Sequence, residues 1–371
     1  MSPKLEQGIW KYGSRLPGVS EDCRITLGEG RTPLVPSAGI GHDIGLESLY
    51  FKLEALNPTG SYKDRISALG VSLAKESGKT GCIGTTSGNA GASIAAYAAR
   101  AGLKYQVFVQ ENIVPSKLEQ VRIHRASITR VRGFGFDPAI GERVFHHVLR
   151  TAEAHNRQLM VTAYAYAPEA MEAVKTIAYE IAEAMPEGGP DAVFVPVGGG
   201  GLLSGIACGF AELREEGSFG GMPRMAACQS AGCANVAKAW RLGLSEPVPG
   251  PSVSRISGIQ VPNPPDAGLV LGHLAQSNGF AEAVEDEQTW YWQERLAERE
   301  GIFCEPAGAI ALAGVVQALR EGRIDKRAKV VCIVSGAGYK DAERMGAMAS
   351  AAPDIPCLSV DELEMGAEME I

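Results

Sequence analysis

The stretch Asn57-Pro58-Thr59-Gly60-Ser61-Tyr62-Lys63-Asp64-Arg65 carries the side chain in this sequence best placed for covalent chemistry, the amine of Lys63. It follows an apolar run, Leu49-Tyr50-Phe51-Lys52-Leu53, that reads as a short strand broken by Pro58 and Gly60. Ser61 with Asp64 three residues later predicts a capping box and a helix over 61–77. Lys63 then sits in the first helical turn, where backbone N–H groups lack partners and the helix dipole is positive. An ammonium ion is disfavoured there, and the neutral amine is the nucleophile that Schiff-base chemistry uses.

Three further junctions bring chemistry to the ends of predicted strands. Gly81-Cys82-Ile83-Gly84 reads as a strand running into Thr85-Thr86-Ser87-Gly88-Asn89-Ala90-Gly91 and the small-residue helix Ile94 to Ala101. A strand, a Ser/Gly/Asn turn and a helix N-terminus together make an anion site. The apolar strand Ala192 to Val197 ends at Gly198-Gly199-Gly200-Gly201-Leu202, which opens a helix to Leu213. Four consecutive glycines waste chain entropy unless a ligand fixes them, and their N–H groups form a nest suited to phosphate. A dinucleotide site would place an acid about 20 to 30 residues on, ending the next strand. That strand, Met225–Cys228, ends at Gln229 and Ser230, so the nest is read as serving another phosphate. The last strand, Lys329–Val334, delivers Ser335-Gly336-Ala337-Gly338-Tyr339-Lys340-Asp341.

The elements between these junctions alternate. Strands at Tyr105–Val109, Ser127–Val131 and Leu159–Val161 interleave with helical patterns at Val114–Arg125, Asp137–Asn156 and Ala170–Met185, which predicts parallel α/β units. Residues 242–268, rich in Pro, Ser and Gly, form a long and therefore functional loop; helix Thr289–Arg299 follows, and the string Glu300 to Ala309 opens a buried helix ending near Arg320. With 371 residues, 45% apolar and 21% charged, the chain has ample material for two domains. A net charge of −8 without a long basic run argues against nucleic acid or an anionic membrane as partner. The eight cysteines form no C-x-x-C pair, which argues against zinc and disulfides. His124, His146, His147 and His155 lack aligned carboxylates and read as surface or core residues. No signal peptide and no apolar run near the ~18 residues of a membrane span are seen, so a reduced cytoplasm is expected. The acidic tail 353–371 is assigned no role.

Several of these strings carry a resemblance. Trp10-Lys11-Tyr12, Leu16-Pro17 and Leu27-Gly28-Glu29-Gly30-Arg31-Thr32-Pro33-Leu34 resemble the N-terminus of threonine synthases. The Lys63 string, the Ser87-Gly88-Asn89 loop, the Glu305-Pro306-Ala307-Gly308-Ala309 string and the Ser335 loop follow in the same order, so the likeness spans Trp10 to Asp341. The chain thus resembles the threonine synthase-like, fold-type-II enzymes of the tryptophan synthase beta-like superfamily, which depend on pyridoxal 5′-phosphate. The resemblance implies two three-layer α/β/α domains with mostly parallel sheets, the smaller (66–164) mobile and inserted in the larger (1–65 and 165–371). It implies a Schiff base on Lys63, which also acts as general base, and a cofactor phosphate on Gly198, Gly199, Gly200, Gly201 and Leu202. Asn89 would meet the cofactor's 3′-oxygen and Ser335 its pyridine nitrogen, while Thr86, Ser87, Gly88 and Asn89 would hold the substrate carboxylate. The implied reaction is elimination or replacement at the β or γ carbon of a small amino acid through an aminoacrylate-type intermediate, by a homodimer.

The likeness thins on the substrate side. Threonine synthases carry an Asn-Ser…Asn-Pro-x-Arg pattern after the strand corresponding to 159–161, which helps clamp a phosphate ester. Here Thr162-Ala163-Tyr164-Ala165-Tyr166-Ala167-Pro168 stands instead, with no arginine. A dianion needs charge-assisted donors, so a tyrosine wall, with Tyr164 as a substrate contact, suits a smaller or less charged group. Ala337 stands where the family often has His, and Gln260-Val261-Pro262-Asn263 replaces an Arg-Ile-Gly-Asn type string. The readings are a threonine synthase-like enzyme whose substrate need not be O-phosphohomoserine, a serine/threonine dehydratase or ammonia-lyase, a cysteate/cysteine synthase-like β-replacement enzyme, and a non-catalytic carrier of the cofactor. Retention of both Lys63 and the nest weighs against the last.

Overall fold

The computed structural model describes residues 7–361 apart from 112, 136, 186, 187, 249 and 354. Most of the acidic tail, 362–371, therefore lies outside the described residues. Two sheets organise the chain. The strands are β1 (Leu34–Pro36), β2 (Ser48–Lys52), β3 (Gly81–Thr86), β4 (Lys104–Val109), β5 (Ser127–Arg130), β6 (Gln158–Leu159), β7 (Ala192–Pro196), β8 (Arg224–Ser230), β9 (Phe280–Val284) and β10 (Lys329–Ile333). The larger sheet runs β1-β2-β10-β7-β8-β9 and the smaller β5-β4-β3-β6. Every pairing is parallel except β1 with β2.

The parallel strands are apolar on both faces because helices cover both. In β7 the alternation sends Phe194 into one apolar layer, with Phe51, Ile310 and Leu312, and Val193 and Val195 into the other, with Leu203, Ile206 and Phe210. Helix Pro306–Arg320 packs on the first face and helices Thr176–Ala184 and Gly201–Glu215 on the second. The smaller sheet is treated likewise. Helices Lys63–Glu76 and Asn89–Ala101 share one layer with Cys82, Tyr105 and Val107, while Ile83 and Phe108 face Val144 and Val148 of helix Pro138–Ala154. Two three-layer α/β/α assemblies result, as a parallel sheet requires.

Strand order sets the place of the site. In the larger sheet the order reverses between β7 and β10, and in the smaller between β3 and β6. Ligands of open α/β sheets bind outside the carboxyl ends of strands at such reversals. The segments leaving those ends are 197–200, 334–337, 86–88 and 160–165, with 53–62 leaving the adjacent β2.

Some expectations change in detail. Helix Ala170–Met185 is broken into Pro168–Met171, a 3₁₀ turn Glu172–Lys175 and Thr176–Ala184. The Thr176 hydroxyl donates back to the Ala173 carbonyl and tightens that turn. Helices Asn235–Arg241, Ala267–Gln276 and Ala342–Ser350, and edge strand β9, were not foreseen. The buried Glu282 in the middle of β9 interrupts the apolar run that would have announced it.

Candidate active site

Helix Lys63–Glu76 begins at Lys63 itself, and the predicted capping box does not form. Ser61 is claimed by an antiparallel bridge to Gly336, and its buried hydroxyl has no hydrogen-bond partner among the described residues. Asp64 turns back instead and accepts from the backbone N–H (2.6 Å) and hydroxyl of Thr59. Two more bonds strap this lead-in to the last loop: Tyr62 N–H donates to the Ser335 carbonyl (3.2 Å) and Ala337 N–H to the Gly60 carbonyl (2.9 Å). The start of the Lys63 helix is thus held by the loop that follows β10. The Lys63 amine donates to the Thr162 hydroxyl at 2.8 Å and lies 4.5 Å from the centre of the Tyr62 ring. Thr162, just past β6, was not foreseen as a site residue; it ties the start of the Lys63 helix, reached from β2 of the larger sheet, to the smaller sheet's edge.

Arg65, two residues on, explains how rigidly this turn is set. It is fully buried and donates to Glu180 (2.6 Å), Glu54 (2.7 Å) and Thr176 (2.9 Å). Lys52 donates to the Thr32 carbonyl and pairs with Glu180, and Asn57 accepts from Gly30 N–H at 2.9 Å. Burial opposes the Glu180 charge, yet Arg65 and Lys52 hold its carboxyl down at about 2.

The loop after β3 is arranged around Thr86 and Asn89. The buried Thr86 hydroxyl accepts from Gly88 N–H (3.0 Å) and Gly91 N–H (2.9 Å), capping helix Asn89–Ala101, while Ser87 stays exposed. Asn89 donates one amide hydrogen to Glu305 at 2.6 Å and keeps a buried amide oxygen without a partner among the described residues. Glu305, at the head of helix Pro306–Arg320, also pairs at 3.0 Å with the buried Lys117, whose amine donates to Ser257 (3.0 Å). The Lys117 stem leaves no room beside Gly88, where a Cβ would sit 2.5 Å from its Cδ. Nearby, the buried Lys340 donates to Gln120 (2.7 Å); burial pushes its amine below the ordinary lysine range, opposed by Glu305 and Asp64. Lys117 and Glu305 were not singled out from the sequence, though Glu305 lies in a recognised string.

The tetraglycine turn is packed from the far side by the long loop. A Cβ at Gly198 would meet the Gly258 carbonyl at 3.0 Å, and one at Gly201 would meet Met171 Cε at 2.5 Å. Gly200 adopts φ +103°, open to glycine and costly for other residues, with Asp266 3.0 Å from its Cβ position. Ser204 makes the first intrahelical bond, to Gly200 O at 3.1 Å, so the N–H groups of 201–203 have no partner within helix Gly201–Glu215. Leu202 is buried in the adjoining apolar layer.

Asp266, absent from any motif, is a further unforeseen residue. Only 2% exposed, it accepts from Tyr164 N–H (2.9 Å) and Ala165 N–H (3.0 Å) and donates its own N–H to the Gly199 carbonyl (3.0 Å). Burial raises its carboxyl above the usual range, opposed by the Ala165 and Tyr164 N–H groups and by Lys63. The two tyrosines of the predicted wall lie apart. The Tyr164 hydroxyl donates to the Met171 carbonyl (3.2 Å) beside Gly205, inside the apolar layer, and the Tyr166 ring packs on Phe145 at 4.3 Å. The two side chains part company: Tyr164 reaches the turn after Pro168, while the exposed Tyr166 leans on helix Pro138–Ala154.

These residues fit a phosphorylated pyridine aldehyde. They supply an amine, unpartnered N–H groups at a helix start for the phosphate, and an amide with a second hydrogen and a free oxygen. The chain matches the family described as pyridoxal-phosphate dependent enzyme over residues 25–336. It is 37% identical to a threonine synthase of Methanocaldococcus jannaschii, covering 91% of this chain and 82% of the relative. A threonine synthase of Halalkalibacterium halodurans is 33% identical, covering 90% and 89%. Among solved structures, maize serine racemase superposes with a TM-score of 0.70 at 23% identity, covering 86% of this chain and 92% of that one. A processed threonine deaminase isoform 2 from Solanum lycopersicum gives 0.72 at 18%, covering 92% of each, and both likenesses speak to the fold. The chain belongs to the pyridoxal-phosphate-dependent enzymes, as a threonine synthase-like lyase of fold type II that uses pyridoxal phosphate.

Proposed function

We propose that this enzyme catalyses elimination or replacement at the β or γ carbon of a small amino acid, with Lys63 as the residue that carries the cofactor and moves the substrate's Cα proton. The observation that supports this most is the Lys63 amine, 2.8 Å from Thr162 and placed where both sheets reverse their strand order. The cofactor, when bound, supplies the electron sink for charge left at Cα. Gly198, Gly199, Gly200, Gly201 and Leu202 would hold its phosphate, Asn89 would meet its 3′-oxygen, and Ser335 would face the ring nitrogen. A neutral hydroxyl there, unlike a carboxylate, does not keep a pyridine protonated, which favours prompt loss of a leaving group. Thr86 shapes the turn in which Ser87, Gly88 and Asn89 receive the substrate carboxylate. The Thr162 hydroxyl orients the Lys63 amine toward the proton it accepts and returns.

Residues 66–164 close over the substrate as an inserted domain and exclude water from the reacting carbons. The enzyme works as a homodimer in the cytoplasm, where eight free cysteines are at home. No helix among the described residues is long and apolar enough to cross a membrane.

The test is a visible-absorbance screen of the cofactor-loaded protein with L-serine, L-threonine, O-phospho-L-serine and O-phosphohomoserine, beside Lys63→Ala. Wild type shows a band that amino acids shift, and the variant shows none. A Lys63→Ala protein with an unchanged spectrum refutes the assignment. Simple elimination, as in serine/threonine dehydratases, is the second reading, favoured by the missing arginine clamp; release of a 2-oxo acid and ammonia selects it.

A further inference from the structure

We propose that Asp266 is a specificity-determining residue that disfavours substrates whose leaving group is a dianion, such as a phosphate ester, and leaves the site to an uncharged leaving group such as a hydroxyl. This rests on the amino-acid reading above. The segment 162–166, which follows β6 and begins with the Thr162 that meets the Lys63 amine, carries no cationic side chain. Its Tyr164 hydroxyl is turned to the Met171 carbonyl, its exposed Tyr166 ring lies on Phe145, and its backbone N–H groups at Tyr164 and Ala165, otherwise free to meet an anion, are both taken by the Asp266 carboxylate at 2.9 and 3.0 Å. Asp266 also sits against Gly200 and Gly201 and is close enough to Lys63 for that amine to act on its charge. The cofactor phosphate brings two negative charges to the same glycines.

The remaining charges nearby are already matched. Lys117 pairs with Glu305 at 3.0 Å, Lys340 is faced by Glu305 and Asp64, and Arg65 is turned away into Glu54 and Glu180. Among the described residues around the Lys63 amine, no cation stands spare for a second phosphate. A buried dianion without charge-assisted donors is costly, and a fixed like charge beside it adds discrimination against that ligand.

The experiment titrates cofactor-loaded wild type and Asp266→Asn with L-serine and with O-phospho-L-serine, reading the concentration that gives half of the visible spectral change. Loosened packing weakens both ligands alike, so the ratio of the two concentrations is the readout. Wild type prefers L-serine, and in Asp266→Asn that preference shrinks by about tenfold or more, which is about 1.4 kcal/mol or more. A second readout is pH. A phosphate monoester loses its second charge near pH ~6, so the wild-type preference fades as pH is lowered through that value and the variant's profile is flatter. If Asp266→Asn does not load cofactor, Asp266→Ser provides the same comparison. A ratio unchanged by both substitutions, or a wild type that prefers the phosphorylated ligand, overturns the proposal. A visible band that neither amino acid moves refutes the amino-acid reading itself, and is told apart from the first failure because no ratio is then obtained.

Discussion

Replacing Gly200 with alanine isolates what the glycine turn contributes. At φ +103° an L-residue is strained by about 1–2 kcal/mol. The new Cβ would also lie 3.0 Å from the Asp266 carbonyl carbon, carbonyl oxygen and Cβ, so a backbone that already bonds Gly199 must shift by a few tenths of an ångström. Crowding of that size costs about 1 kcal/mol. The sum, roughly 2–3 kcal/mol, falls on the turn proposed to carry the phosphate and corresponds to about a 30- to 150-fold loss of pyridoxal phosphate affinity. Gly217 is the control. It too has a positive φ (+68°), but nothing lies within 4 Å of its Cβ position, and it sits beyond the far end of the same helix. Gly217→Ala therefore pays the strain in stability alone. The assay is equilibrium titration of the apoprotein with pyridoxal phosphate, followed by visible absorbance, with thermal melting of each apoprotein alongside. If Gly200→Ala binds within a few-fold of wild type while Gly217→Ala melts lower as predicted, the phosphate is not held by this turn and the reasoning fails.

Two other perturbations test the buried charges. Glu180→Gln breaks the Arg65–Lys52 cluster and should cost about 3–5 kcal/mol at neutral pH. Because the folded carboxyl is held near 2 against an ordinary 4.5, the charged group's contribution is present above pH ~4.5 and is lost as pH falls toward ~2. Urea midpoints of wild type and variant should accordingly converge over that window; a gap independent of pH contradicts it. Glu282 behaves oppositely. Burial raises its carboxyl to about 7 despite Arg323 at 3.4 Å, so folding favours its protonated form and stability declines as pH rises from about 4.5 to 7. Glu282→Gln should gain on the order of 1 kcal/mol at pH 8, after allowance for solvent screening, and little at pH 5. Equal changes in melting temperature at both pH values would remove that explanation.

The parts of this protein that obey local rules were readable in one dimension. The lysine follows a strand break, the glycines stand between an apolar strand and a helix, and alternation with a helical period announced the parallel sheets. Backbone conformation and burial at these points depend on neighbours a few residues away, so spacing and residue type suffice. The contacts that complete the site depend on residues brought from afar. Ser61 loses its expected capping role because Gly336, at the end of β10, claims it as a bridge partner. Tyr164 and Tyr166 look like a substrate wall in the sequence, yet where each side chain goes is decided by distant partners, the Met171 carbonyl for Tyr164 and the Phe145 ring for the exposed Tyr166. Thr162, Lys117 and Asp266 carry no motif; each acquires its place from strand order and from the loop at 242–266 folding over the glycine turn. Cofactor chemistry is local enough to be written in strings, whereas the charge balance that chooses a leaving group is a sum over side chains that meet only when both sheets are assembled.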